Sequence, residues 1–244
     1  MTQRIALAPT DRQKLWRGHG PQILCRRPHP SCLNGVDNNV DLSAVGPCLK
    51  QHGYSFVGRY LGGPCYQFTA LSLREAQALS EAGLWLVSIY VGANAVRRFS
   101  CGIQSVEQGR HDGQEAAALA QQVSQPRHTA IYLNLEPQQI TPLETWLTYV
   151  DTWIQTVADS GYVPGVYSST SQLKRIHELV GVNAAVLYWV TGGRIKAPHT
   201  PPPCPQEFLS FAHLWQYVHQ VSVCDIPCMD IDSAASPLGM WSLP

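Results

Sequence analysis

The sequence has little charge and no excess of either sign. Charged residues make up 14% of the 244 positions, with Lys and Arg together numbering 17 and Asp and Glu 17. A chain without a net field has no global attraction for nucleic acid or anionic lipid, so neither is expected as a partner. No apolar run approaches the roughly 18 residues of a membrane span. The first segment, MTQRIALAPTDRQKLWRGHG, carries Arg4, Arg12, Lys14 and Arg17 but lacks the apolar core of about 7 to 15 residues that a secretory signal needs. There is no GxGxxG after a strand, no Walker loop, no HExxH and no GxSxG elbow, so no cofactor, metal or phosphate is expected. CxxC pairs are also missing. A metal site built from Cys204, Cys224, Cys228 and a histidine therefore has less support than disulfides or free thiols among the 8 cysteines.

What is present is an alternation. Residues 1–32 are basic, Pro-rich and aperiodic, and are expected to form an N-terminal extension that Cys25 and Cys32 could tie down. From Leu33 to residue 244, apolar runs alternate with helical stretches. Ser72 with Glu75 forms a capping-box pattern ahead of a helix that stops at Gly83. Thr141, Pro142 and Glu144 open another, with Trp146, Val150, Trp153, Ile154 and Val157 at helical spacing before Gly161. A helix is expected from about Gly109 to Val123, one after Ser169 ending at Gly181, and one near Pro47 ending by Gly53. Between them lie strands at 33–37, 54–60, 84–92, 130–136, 163–169, 185–190, 213–218 and 228–232. Most are continuous apolar runs, as parallel strands covered on both faces are. The expectation is an α/β fold, a single (β/α)8 TIM-type barrel, irregular over 191–212 where a proline-rich loop replaces a helix.

In such a barrel the residues closing each strand face the site. They are Asp37, Arg59, Tyr60, Tyr90, Asn134, Glu136, Tyr167, Trp189, Gln216, Tyr217, Asp230 and Asp232. Aromatic faces suit sugar rings, and acids and amides suit their hydroxyls, so the cup is expected to bind carbohydrate. Glu136, an acid after an apolar run, is costly to bury without a role. It is the candidate general acid for glycosidic cleavage, with Asp37 and Asp230 as candidate partners.

The ordered set GVDNNVD, FVGRYLGG, LVSIYVG, QGRHDGQEAA, AIYLNLEP, GYVPGVYSS, LYWVTG, HLWQY and MDIDSA resembles the glycoside-hydrolase-like domain of unknown function 1906, related to the family 25 lysozymes. The resemblance implies a barrel whose family 25 relatives cleave the β-1,4 bond between N-acetylmuramic acid and N-acetylglucosamine in peptidoglycan. It places Asp37 at the acid after the first strand, Glu136 at the general acid and Asp230 at the acid of the last strand. Trp215, Gln216 and Tyr217 match a substrate-side WQY. The family's DxE is here Asn134, Leu135, Glu136; asparagine can hydrogen-bond an acetamido group but cannot stabilise a developing positive charge. Two functions remain in view: a peptidoglycan-directed hydrolase and a non-catalytic glycan-binding barrel. The hydrolase would be exported by a non-classical route or by lysis to act in periplasm or wall as a delivered effector or endolysin-like enzyme, with a delivery or immunity partner.

Overall fold

The computed structural model describes residues 32–96, 99–135, 141–181 and 185–244. The strands are β1 (Leu33–Asp37), β2 (Phe56–Gly62), β3 (Trp85–Val91), β4 (Asn94–Val96), β5 (Phe99–Cys101), β6 (Ala130–Asn134), β7 (Val163–Ser169), β8 (Leu187–Thr191), β9 (Leu214–Val223) and β10 (Ile226–Ala234). The helices are α1 (Gly46–Gln51), α2 (Leu73–Glu81), α3 (Val106–Gln122), α4 (Leu143–Asp159), α5 (Thr170–Val180) and the short α6 (Pro205–Phe208). A closed barrel forms in the order β1-β10-β9-β8-β7-β6-β3-β2. Helices α1 to α5 follow β1, β2, β3, β6 and β7, so regular alternation holds over that part of the chain. Beyond β8 it lapses: only α6 intervenes before β9, as the prolines between 198 and 205 require.

The last strand departs from the expected topology. β10 runs antiparallel to both neighbours, β9 and β1, while the other barrel pairs are parallel. A two-residue turn makes this possible: Cys224 (φ 50) and Asp225 (φ 64) both lie in the left-handed region that such a hairpin demands. Asp37 therefore pairs with Asp230, and Gly35 with Asp232. The acid nearer the start of β10 is the one at the mouth.

Side chains alternate between two cores. Inside the barrel, Phe56, Val87, Ile89, Tyr132, Leu187 and Trp189 pack together. Outside it, Val57, Leu79, Ile131, Trp146, Trp153 and Ile176 fill the layer between sheet and helices. The C-terminal segment pairs with the sheet, with Trp241 and Leu86 exchanging backbone hydrogen bonds of 2.7 and 3.1 Å.

Local signals hold with two adjustments. Ser72 accepts the Glu75 amide at 3.1 Å, but the Glu75 carboxylate does not complete a capping box because it is bound to Arg59. Helix α4 begins at Leu143 with Pro142 as its cap and no side-chain capping bond, so Thr141 lies one residue outside. Pro47 stands in the first turn of α1.

Three disulfides join Cys32 to Cys204, Cys48 to Cys224 and Cys65 to Cys101. Cys32 thus pairs forward into the α6 cap, and Cys25 lies outside the described residues. With Cys204 and Cys224 consumed in separate bridges, the metal cluster weighed from sequence does not assemble. Cys228 is a free, exposed thiol. Among the described residues no helix is long and apolar enough to cross a membrane.

Candidate active site

The strand pattern decides which of the expected residues meet. Interior positions at the mouth place Asp37, Tyr60, Asn134, Tyr167, Trp189, Gln216, Asp230 and Asp232 on the inside of the barrel wall. The next position along each strand faces the helices. Tyr90 is consequently not in the cup: it packs in the outer core, stacks on Trp153 at 6.4 Å and donates its hydroxyl to Glu115 at 2.6 Å. Trp215 stacks on Phe208 at 4.8 Å, and the Tyr217 hydroxyl donates to Asn34 at 3.1 Å. Both belong to the same outer layer.

Arg59 likewise does not face the cup. It is fully buried, and its guanidinium is held by Glu75 at 2.6 and 3.1 Å, Asn38 O at 2.7 Å and Thr69 O at 3.1 Å. The same glutamate accepts the Leu42 amide at 2.8 Å. One buried ion pair thus fastens the loops that follow β1 and β2, both of which rim the mouth.

At the centre stands an acid cluster organised by Gln216. Its Nε2 donates to Asp37 Oδ2 at 2.8 Å and to Asp230 Oδ2 at 3.1 Å, while its Oε1 accepts from the Tyr167 hydroxyl at 2.8 Å and from Thr191 at 3.1 Å. A side-chain amide can donate and accept at once, which is why glutamine rather than an acid can sit between carboxylates. Asp230 keeps partial solvent access, receives the Gln220 amide at 2.7 Å and lies 3.8 Å from His219. Gly58 leaves room for the group: a Cβ there would lie 2.8 Å from Asp37 Cβ and 3.0 Å from the Trp189 ring.

Burial pushes the Asp37 carboxyl up to about 6, with the Asp230 charge adding to it and hydrogen bonds from Gln216 and Asp232 working against it. Asp232 lies beneath, with no solvent exposure. Burial first, and then the charge of Asp37, raise it well above the usual carboxylate range. Its Oδ1 accepts Trp189 Nε1 at 3.1 Å, while Oδ2 has no conventional donor among the described residues. A proton on Asp232, donated to Asp37, satisfies that orphan. Asp232→Asn, which preserves a neutral donor and an acceptor for Trp189, is expected to melt within about 1 kcal/mol of the unsubstituted protein. Asp232→Ala, which orphans the indole N–H, is expected to lose about 1–3 kcal/mol in urea denaturation. Equal losses in the two variants would contradict a protonated Asp232.

Asn134 closes β6 on the interior side, 7% exposed, and its Oδ1 has no hydrogen-bond partner among the described residues. Glu136 lies outside the described residues, so its placement relative to the acids is not part of this geometry.

Two residues that sequence reading did not select complete the rim. Tyr66 stacks on Tyr60 with centroids 5.0 Å apart, and Phe68 meets Tyr66 edge-on at 5.9 Å while 66% exposed. This aromatic row leads from the cup to the surface on the β2–α2 loop, which Cys65–Cys101 ties to the β4–β5 hairpin. The signal was CYQF after a strand end, with aromatics two apart beside a cysteine. A larger cavity of about 520 Å³ opens at the opposite face, lined by Val163, Leu187, Phe211 and His213 among others. It lies against the starts of β7 and β8 and is remote from the acids, so its size says nothing of the chemistry.

A family model described as the Rv2525c-like, glycoside hydrolase-like domain matches residues 47–232. No curated protein matches the sequence. Among solved structures, the Mycobacterium tuberculosis Tat-secreted protein Rv2525c in complex with L-tartrate aligns at TM-score 0.60 and 16% identity, over 87% of this chain and 99% of that one. GHIP, a glycosyl hydrolase 25 of Streptococcus pneumoniae, aligns at 0.57 and 13%, over 84% and 88%. The modular autolysin LytC of Streptococcus pneumoniae, in complex with a synthetic peptidoglycan ligand, aligns at 0.60 and 15%, over 83% of this chain and 46% of LytC. Identities this low speak for the barrel alone, whereas the family match spans most of the chain: this protein belongs to the Rv2525c-like glycoside hydrolase-like domain family.

Proposed function

We propose that the protein is a peptidoglycan-directed glycoside hydrolase of lysozyme-like type, acting outside the cytoplasm. The observation that carries this reading is the Asp37–Gln216–Asp230 constellation over a buried Asp232 at the barrel mouth. Glycosidic cleavage needs one carboxyl that can give a proton and another that can face a positively charged transition state. Glu136 is the proposed proton donor to the leaving oxygen. Asp37, raised to about 6, is ionised in the main at neutral pH and serves as the charged partner that Asn134 cannot be. Asn134, at the interior end of β6, is an amide able to hydrogen-bond an acetamido group, and the aromatic row of Tyr60, Tyr66 and exposed Phe68 gives the rim an apolar surface for a sugar chain.

LytC's peptidoglycan ligand and the hydrolase 25 character of GHIP support the substrate class. Three disulfides, and the Tat-secreted relative, support an oxidising location. The test is release of reducing ends from purified peptidoglycan by the unsubstituted protein and by Glu136→Gln. Release that falls to background in the variant supports the assignment; equal release by both refutes Glu136 as the acid. Asn134 in place of an acid favours a second reading, a barrel that grips glycan without cutting it. That reading predicts no release by either protein, with saturable binding to peptidoglycan that survives Glu136→Gln and weakens in Phe68→Ala.

A further inference from the structure

We propose that the pocket beside the acid cluster, lined by Arg194, Lys196 and His219, is a subsite for a carboxylate carried by the bound sugar. The proposal deepens the glycan reading above and rests on it for the sugar. The pocket encloses about 320 Å³ and is bounded by Arg194, Ile195, Lys196, His219, Gln220 and Asp230. Asp230 also accepts from Gln216 in the acid cluster, so the pocket and the cup share a wall.

The segment that supplies the cations is built rather than loose. Ile195 N donates to Tyr217 O at 2.8 Å, joining the segment to β9, and Trp215 Nε1 donates to Gly192 O at 2.8 Å. Gly193, at φ 58, lies so close to Phe208 that a Cβ would approach the ring to 2.4 Å. Ile195 packs against the outer core. Arg194 and Lys196, flanking it by one residue each, are exposed and turn to the other side, where both line the pocket.

The charges there are unbalanced. Among the described residues neither Arg194 nor Lys196 has a carboxylate within ion-pair distance. The one acid in the lining, Asp230, already accepts from the Gln220 amide and from Gln216. His219 completes the wall, with its Nδ1 3.8 Å from Asp230 Oδ2. In a chain with 17 basic and 17 acidic residues, two unpaired cations against one carboxylate leave a local excess of positive charge that suits an anion. A carboxylate suits it, since the Arg194 fork can take both oxygens and Lys196 adds a point charge.

Calorimetric titration at low ionic strength tests this with four probes. They are the disaccharide of N-acetylglucosamine and N-acetylmuramic acid, its lactyl methyl amide, a glucuronic acid–N-acetylglucosamine disaccharide, and D-lactate alone. The unsubstituted protein is expected to bind an acidic disaccharide about tenfold more tightly than the neutral amide, a preference that salt reduces. Whichever acidic disaccharide binds more tightly identifies the carboxylate's source, lactyl ether or uronate. The doubly substituted Arg194→Gln, Lys196→Gln protein is expected to bind acid and amide equally. Equal binding of acid and amide by the unsubstituted protein, or a preference that survives the double substitution, overturns the subsite while leaving the glycan reading intact. If no disaccharide binds, the glycan reading fails. The pocket is then judged by D-lactate: a shift of the His219 ring resonances that vanishes in the double variant sustains an anion site, and no shift overturns it.

Discussion

Glu75→Ala is expected to destabilise the protein by about 3–5 kcal/mol, the usual consequence of removing one partner of a fully buried ion pair. Both Arg59 and Glu75 have side chains with no exposure, and their contact is bidentate, at 2.6 and 3.1 Å. Without the carboxylate, the guanidinium keeps only the carbonyls of Asn38 and Thr69, and the Leu42 amide loses its acceptor. Desolvating an unpaired cation costs far more than those two bonds return. Chemical denaturation measures the loss. The pair itself need not be net stabilising, so the double variant Arg59→Met, Glu75→Leu is expected to recover much of it. The recovery should not extend to the site. Arg59 binds the Asn38 carbonyl, next to Asp37, and the Thr69 carbonyl, which also accepts the Tyr66 hydroxyl at 2.9 Å. A repacked double variant is expected to be stable and impaired in glycan binding. A double variant as unstable as Glu75→Ala would mean that the loops, rather than the buried charge, set the cost.

The same pair shows what the sequence could and could not tell. Continuous apolar runs with helical stretches between them were enough for a barrel, and the glycine stops and Ser72 placed helix ends within a residue or two. A run apolar on both faces does not reveal which parity points inward. Arg59 and Tyr60 are adjacent at one strand end, and only Tyr60 lines the cup; Tyr90 and Tyr217 closed their runs as plausibly as Tyr167 did. Once β1 pairs Asp37 with Asp230, the parity of every neighbour follows. Strand direction is equally silent in the residues. The turn that reverses β10 is Cys-Asp, without the Asn-Gly or Asp-Gly signature, and is held by the Cys48–Cys224 bridge across 176 residues of sequence. Asp37, Asp230 and Gln216 were legible because polar residues at apolar strand ends are costly unless used. Asp232 was visible as an acid but not as a protonated one, since that depends on how deeply β10 carries it below its neighbour.

Asp37→Asn is expected to abolish glycan cleavage and, at neutral pH, to stabilise the fold. The folded protein raises the Asp37 carboxyl from 3.8 to about 6, so the fold prefers this group protonated. Asp37 therefore contributes stability that is fully present below about pH 3.8 and is lost as pH rises through about 6. Above that range the protein bears the cost of an ionised, buried carboxylate near Asp230. The difference of about 2 pH units, at roughly 1.4 kcal/mol per unit, corresponds to about 3 kcal/mol. Asparagine never ionises. Its amide oxygen can still accept from the protonated Asp232 or from Gln216, so part of the hydrogen-bond pattern survives without the charge. The variant is expected to melt about 6–12 °C higher than the unsubstituted protein at pH 7.5, given roughly 2–4 °C per kcal/mol for a domain of this size. The advantage should shrink through pH 6 and disappear near pH 4, where both side chains are neutral. Melting curves across that range decide it: an advantage independent of pH would trace to packing, and none at pH 7.5 would mean that Asp37 ionises without penalty. A carboxyl whose charge costs the fold stability, at the mouth of the barrel and in contact with Gln216, has the relation to its fold expected of a group that acts on substrate.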